Sequence, residues 1–389
     1  MASLYETTGL SVRVSNPVIQ NGKWIQTLTE DLTSYDHESA AMGGYDRANI
    51  SFGVNRLDIA EWLNEGLGRD IEVRNRAGVV VWNGMANVVN ANEGGRKVVV
   101  GPLLEVANRI SMNYAIVIEG SGTEQIIGEQ VSTEWADNTD SQSAYGKWEK
   151  VVNGSARTTP EAEQARNVVL SKYSWPPTTY DISTAGDVTV QLQCVGYQKW
   201  LDAFVYNNDT VDEVLTSAKV RLIMEASEAV NSGVLSTDYT RIENSTAYIE
   251  TFEDRDRTGT TVIKDAAAMG DANDDYWTFG IYAGRQAVFN VVPGELAYLH
   301  RRGTGPVVER LGGGVVDPWD VKAGQWLFMP DSMPGSDTPI PTTRAEFYKD
   351  KRVAFIERVT FNAPYGFSVF GTRLRRAAQG LAKLGLGSL

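Results

Sequence analysis

A chain of 389 residues exceeds one ordinary hydrophobic core of about 100–150 residues, so two to four domains are expected. Its 42% hydrophobic, 10% aromatic and 22% charged residues exclude disorder as the dominant state. Net charge is −13, from 36 basic against 49 acidic residues, which excludes a phosphate-neutralising nucleic-acid binder, and the single cysteine, Cys194, excludes an intramolecular disulfide or a paired-cysteine metal or redox site.

Met1 to Leu10 lacks the basic start and apolar core of a signal peptide, and no apolar run reaches the ~18–20 residues that span a bilayer. A product made in a cytoplasm, without stable membrane insertion, is expected.

Asp58 to Leu67 places Ile59, Trp62, Leu63 and Leu67 at helical spacing, closed by Gly66 and Gly68. Ile71 to Arg74 and Val79 to Trp82 are β-rich runs about the Gly-containing turn Asn75 to Gly78, and Lys97 to Val100 follows the turn Asn92 to Gly95. Residues 1–115 thus read as a small barrel carrying one short helix.

Residues 116–207 read as a second barrel-like domain. Glu119 to Thr159 is a long polar stretch in which only Tyr145 to Val152 resembles a strand, and a loop of that length is usually functional or ordered by a partner. Thr159 is expected to cap a helix beginning at Pro160, with Ala162, Ala165, Val168 and Val169 on one apolar face. After the breaker Tyr173 to Pro177, Asp187 to Tyr197 alternates Val188, Val190, Leu192 and Cys194 with polar neighbours, predicting a half-buried strand.

Residues 208–310 read as an α+β module. Thr210 to Glu213 forms a capping box opening a helix with the stripe Val211, Val214, Leu215, Ala218 and Leu222. A second helix runs from about Thr261 to Met269, and the runs Tyr276 to Tyr282 and Ala287 to Val292 form a hairpin about Ala283-Gly284. Residues 311–389 are again β-rich, then end in a basic amphipathic tail in which Arg373, Arg375 and Arg376 stand beside Leu374 and Leu381, a candidate partner-binding segment. The fold class is mainly β with α+β modules, multi-domain, with small β-barrels and an inserted helix-hairpin domain.

The residues of chemistry are sparse. Gly66-Leu67-Gly68 has Ile71 where a dinucleotide fingerprint needs its third glycine, and no GxxxxGK[ST] occurs. His37 and His300 are the only histidines, and neither sits in a zinc-hydrolase motif. Cys194 lies on the apolar face of its strand, the place of an inert core thiol. Asp271, Asn273 and Asp275 imitate a calcium loop, but Tyr276 and Tyr282 replace its glycine and closing glutamate. Glu61 and Asp70 are spaced like the acids of a phage-lysozyme motif, with Arg76 where that motif needs threonine. No catalytic, cofactor-binding or metal-binding residue is assigned and no cofactor is expected. Strand aromatics such as Trp82, Trp277 and Trp326 read as packing rather than sugar-stacking residues.

Several segments together resemble the hub proteins of bacteriophage tails: Gly43 to Ala48, Trp62, Ile71 to Asn75, Val81 to Gly84, Val195-Gly196-Tyr197, Met269-Gly270-Asp271, Trp277 to Arg285 and Asp317 to Trp326. The likeness spans most of the chain. It implies a virion protein of the tail tip or baseplate, a homotrimer whose two barrel domains per subunit make a ring that adapts the tail tube to a tip or spike. It further implies the distal tail protein, the tape measure protein and tip or spike proteins as partners, with DNA only passing through the lumen, and the acidic total fits a passage that repels it. The alternatives are a tail-associated cell-wall hydrolase using Glu61, Asp70 or Cys194, and a glycan receptor-binding tail protein.

Overall fold

The computed structural model describes residues 4–119, 125–155, 158–182, 187–207, 213–249, 255–271, 275–304, 307–332, 339–363 and 366–372. The chain opens with a short helix α1 (Leu4–Thr8) and the strands β1 (Ser11–Ser15), β2 (Trp24–Leu28), β3 (Leu32–Ala40) and β4 (Met42–Gly53). Helix α2 (Ile59–Glu65) precedes β5 (Asp70–Arg74), β6 (Val80–Glu93) and β7 (Arg96–Val100). Next come β8 (Arg109–Glu119), β9 (Gln125–Ser132), β10 (Ala136–Asp137), α3 (Thr139–Tyr145), β11 (Glu149–Asn153), α4 (Thr159–Tyr173), β12 (Thr178–Ile182) and β13 (Thr189–Gly196). The two-residue strands β14 (Val205–Tyr206), β15 (Val214–Leu215), β16 (Tyr248–Ile249) and β17 (Arg257–Thr258) surround α5 (Thr216–Val230), and α6 (Gly259–Ala268) follows. The rest is β18 (Trp277–Tyr282), β19 (Gln286–Val291), β20 (Tyr298–Leu299), β21 (Glu309–Arg310), β22 (Trp326–Phe328), α7 (Arg344–Phe347), β23 (Val353–Ala363) and β24 (Gly366–Thr372).

The fold is mainly β, as the alternating runs predict. One 16-stranded sheet follows the path β2-β1-β5-β6-β13-β4-β3-β23-β22-β20-β21, with β7 and β12 branching from β6, β18 and β19 from β4, and β24 from β23. That path has free ends, so among the described residues the expected barrels are not closed by hydrogen bonds. The β13 strand lies between β6 and β4 and is paired along most of its length with both, because Val190, Leu192 and Cys194 present an apolar row to the core while Gln191 and Gln193 face outward. The β5–β6 hairpin turns where expected: the Asn75 side chain accepts from the amides of Ala77 and Val79, and Gly78 takes a φ of 77°.

Three local expectations need correction. The polar stretch after Glu119 contains regular structure among its described residues: β9, β10 and β11 all pair with β8, and α3 lies between β10 and β11 in the chain. Its order comes from the fully buried Asn108, whose Nδ2 donates to Ser141 Oγ (3.1 Å) and the Gly146 carbonyl (2.8 Å) while Oδ1 accepts from the Trp148 amide (2.8 Å). In α4 the cap is Thr158, reciprocated by Glu161, and the buried positions are Ala162 and Arg166. The Arg166 guanidinium donates to the Glu134 carbonyl, turning Val168 out to 64% exposure. Helix α5 begins at Thr216, because Val214 and Leu215 are held extended by pairing with Ile249 and Tyr248. Its inner face is Val220, Ile223 and Met224 against α6, and Leu222 points outward. Thr210 to Asp212 lie outside the described residues.

Helix α6, the β18–β19 hairpin and α2 stand where periodicity predicts them. The main core runs from β1 through β13 to α5 and α6 and includes the fully buried Trp82. A second core gathers Trp326 with Phe347, Tyr348 and Phe355 at ring separations of 5.2–5.7 Å.

Candidate functional site

Most of the segments that resemble a tail hub meet at one junction. Strand β18 runs parallel to the start of β4, pairing Gly280 with Gly43 and Ile281 with Gly44, and the end of β13 places Gly196 against Gly84 of β6. The backbones approach too closely for side chains there. A Cβ on Gly196 would lie 1.7 Å from the Tyr45 carbonyl oxygen, and one on Gly84 would lie 2.2 Å from that of Val195. Around these glycines Tyr45 packs edge-on against Tyr282 at 5.5 Å and tilts against Trp82 at 6.4 Å.

Asp70 sits in the same junction. Its Oδ1 accepts from the Tyr197 hydroxyl (2.7 Å) and from Asn83 Nδ2 (3.0 Å). Burial raises its pKa above the usual carboxylate value, and the two hydrogen bonds oppose that rise. Beside it Gln198 donates to Asp46 Oδ1 (3.1 Å), and Arg285 lies over the Tyr197 ring at 5.9 Å while donating to the carbonyls of Gly233 and Val234. Asp70 therefore fixes neighbouring strands, with its lone pairs engaged by side chains of β6 and of the turn after β13. Spacing alone had no means of revealing Asn83, Tyr197 or Gln198 as its surroundings, since each lies on another strand or turn.

The other singled-out residues are dispersed. Glu61 holds the buried Arg69 at 2.7 Å, and Arg69 also lies over Trp62 at 4.7 Å. His37 is buried with its Nδ1 2.8 Å from the Tyr35 hydroxyl, and burial pushes its pKa down to about 3. Burial raises the Cys194 thiol. Cys194 and His37 lie on either side of Ala48 in one cross-strand row, a whole strand apart and about 10 Å from each other, so they make no nucleophile–base pair. Asp275 pairs with Arg344 and takes its own amide bond to Asp271 Oδ1, while Asn273 lies outside the described residues. His300 bonds through its backbone amide to Phe328. Trp82, Trp277 and Trp326 are buried. Arg373, Arg375, Arg376 and Leu381 lie outside the described residues. No group of three metal-ligating side chains occurs among the described residues.

Two kinds of surface remain. The outward face of the central strands is an amide and hydroxyl ladder, with Ser34, Ser51, Gln191 and Asn90 in one cross-strand row and Asp36, Asn49 and Gln193 in the next. Asn90 donates to Gln191 (3.2 Å) and Asn49 to Asp36 (2.9 Å). The sheet rims left unpaired among the described residues, in contrast, carry exposed apolar side chains: Trp24 on β2, Tyr180 and Ile182 on β12, and Phe370 on β24.

No protein-family model and no curated protein matches the sequence. Among solved structures, a tail protein from Neisseria meningitidis MC58 aligns over 95% of this chain and 98% of its own, at 9% identity and a TM-score of 0.40. The 43 kDa tail protein of prophage MuSo2 from Shewanella oneidensis aligns over 93% and 98%, at 7% identity and 0.40. An E. coli component of the type VI secretion system, described as structurally similar to the T4 bacteriophage tail proteins gp27 and gp5, aligns over 89% and 77%, at 8% identity and 0.36. Scores below 0.5 at such identities establish neither kinship nor function.

Proposed function

We propose that this chain is a non-catalytic structural subunit of a bacteriophage tail tip or baseplate, a trimeric hub ring that joins the tail tube to the tip and surrounds its channel. The observation that carries the reading is the junction. Segments scattered from Gly43 to Arg285 resemble tail hub proteins in sequence, and here their glycines and aromatics serve a single close crossing of β4, β6, β13 and β18. A packing motif of that kind supports a structural role. The sheet face lined by amides and hydroxyls supports passage rather than capture of DNA, because its cations, Arg47 and Arg358, are both paired with Glu38 and so offer little to phosphates. On this reading the partners are other tail components: the distal tail protein, the tape measure protein and the tip or spike proteins. The site is the virion.

The hydrolase alternative has lost its pairings: Glu61 is engaged by Arg69, Asp70 by Tyr197 and Asn83, and Cys194 is sealed in the core. The test is a zymogram on host cell wall. No clearing is expected, and clearing that disappears in Glu61→Gln would overturn the proposal.

A further inference from the structure

We infer that β12 is the docking edge for a second copy of this chain, joined by strand addition; the inference deepens the ring reading above and rests on it. All five residues of β12 are exposed, although the strand pairs along its whole length with β7. One rim of its backbone is thus used, and among the described residues no strand meets the other. Tyr180 and Ile182 are 69% and 84% exposed and share a face. That face is the core's own, since Tyr180 stands opposite Val98 and Val98 opposite Ala91, both buried. The apolar surface of the sheet therefore runs past the side chains that cover it.

The chemistry of the rim dictates what fits. Alternating amide and carbonyl groups are satisfied by another extended backbone, and an apolar pair on alternate residues selects a strand with apolar side chains. Free edges are ordinarily blunted by lysine, proline or brevity, as at two-residue β21 with Glu309 and Arg310, whereas β12 holds only Asp181. This chain carries a matching rim. Strand β24 pairs only with β23 among the described residues, has seven uncharged residues and exposes Phe370 at 57%. The charges beside the two rims are already matched within the subunit, Lys97 standing opposite Asp181, Arg96 opposite Glu93 and Arg358 bonded to Glu38, so backbone and apolar groups carry the contact. Joining two different rims is a head-to-tail contact, the kind that closes into a ring rather than a twofold dimer.

The experiment uses the purified full chain. Tyr180→Lys with Ile182→Lys changes only exposed side chains, so thermal unfolding of the subunit should stay as in the parent, while the subunit dissociation constant rises at least tenfold by sedimentation. In a second variant, Tyr180→Cys with Phe370→Cys, mild oxidation should link subunits through a bond between the two introduced residues. The buried Cys194 takes no part. A lysine variant that still assembles, with no such link in the cysteine variant, overturns the docking edge and leaves the ring reading standing. A parent chain that stays monomeric at every concentration overturns both.

Discussion

His37 couples the fold to pH through its burial. Its ring is sealed beside Tyr35 and Phe361, with ring centroids 5.5 and 5.4 Å away, and burial lowers its pKa from 6.5 to about 3. The unfolded chain accepts a proton there below pH 6.5, whereas the folded chain does so only near pH 3. Acidification through that window therefore favours unfolding, by on the order of 1 kcal/mol per pH unit. Asp70, raised by burial, has the opposite sign, because the folded state takes its proton first as pH falls. His37→Phe should therefore remove about one proton from the slope of unfolding free energy against pH between 6.5 and 3, leaving the Asp70 contribution in place. Urea titrations of both proteins at pH 7, 6 and 5 measure it, and parallel curves would show that His37 is not held neutral.

Among the elements, those whose residues alternate or recur within one segment were legible in the sequence. The β13 row of Val190, Leu192 and Cys194, the β5–β6 turn at Asn75 and the end of α6 at Met269 need no knowledge of the rest of the chain. Where expectation failed, a distant partner decided. Val214 and Leu215 look helical until Ile249 and Tyr248 hold them extended, and the polar stretch looks like loop until Asn108 organises it from outside. The candidate site was half legible: its glycines and aromatics could be named from the sequence, but their meeting point could not, since it depends on the register of β4, β6, β13 and β18. That junction makes a sharp prediction. Gly196→Ala forces a Cβ into the Tyr45 carbonyl, which only backbone movement can relieve, so about 3 kcal/mol or more of stability should be lost in chemical denaturation. A loss within about 0.5 kcal/mol would mean that the crossing is loose.

At the scale of the molecule, the 16-stranded sheet leaves rims unpaired among the described residues, with exposed apolar side chains, on a chain whose net charge of −13 repels other copies at long range. Association must then come from short-range backbone pairing and apolar contact, which salt strengthens relative to the repulsion by screening. Assembly should accordingly tighten between 0.05 and 0.3 M salt, on the order of a Debye length falling below ~10 Å. The proposed function requires three subunits standing in one ring. Light scattering on the purified chain at micromolar concentration and moderate salt should give a mass three times that of the 42.7 kDa chain, and a uniform 42.7 kDa particle at all concentrations would rule the ring out.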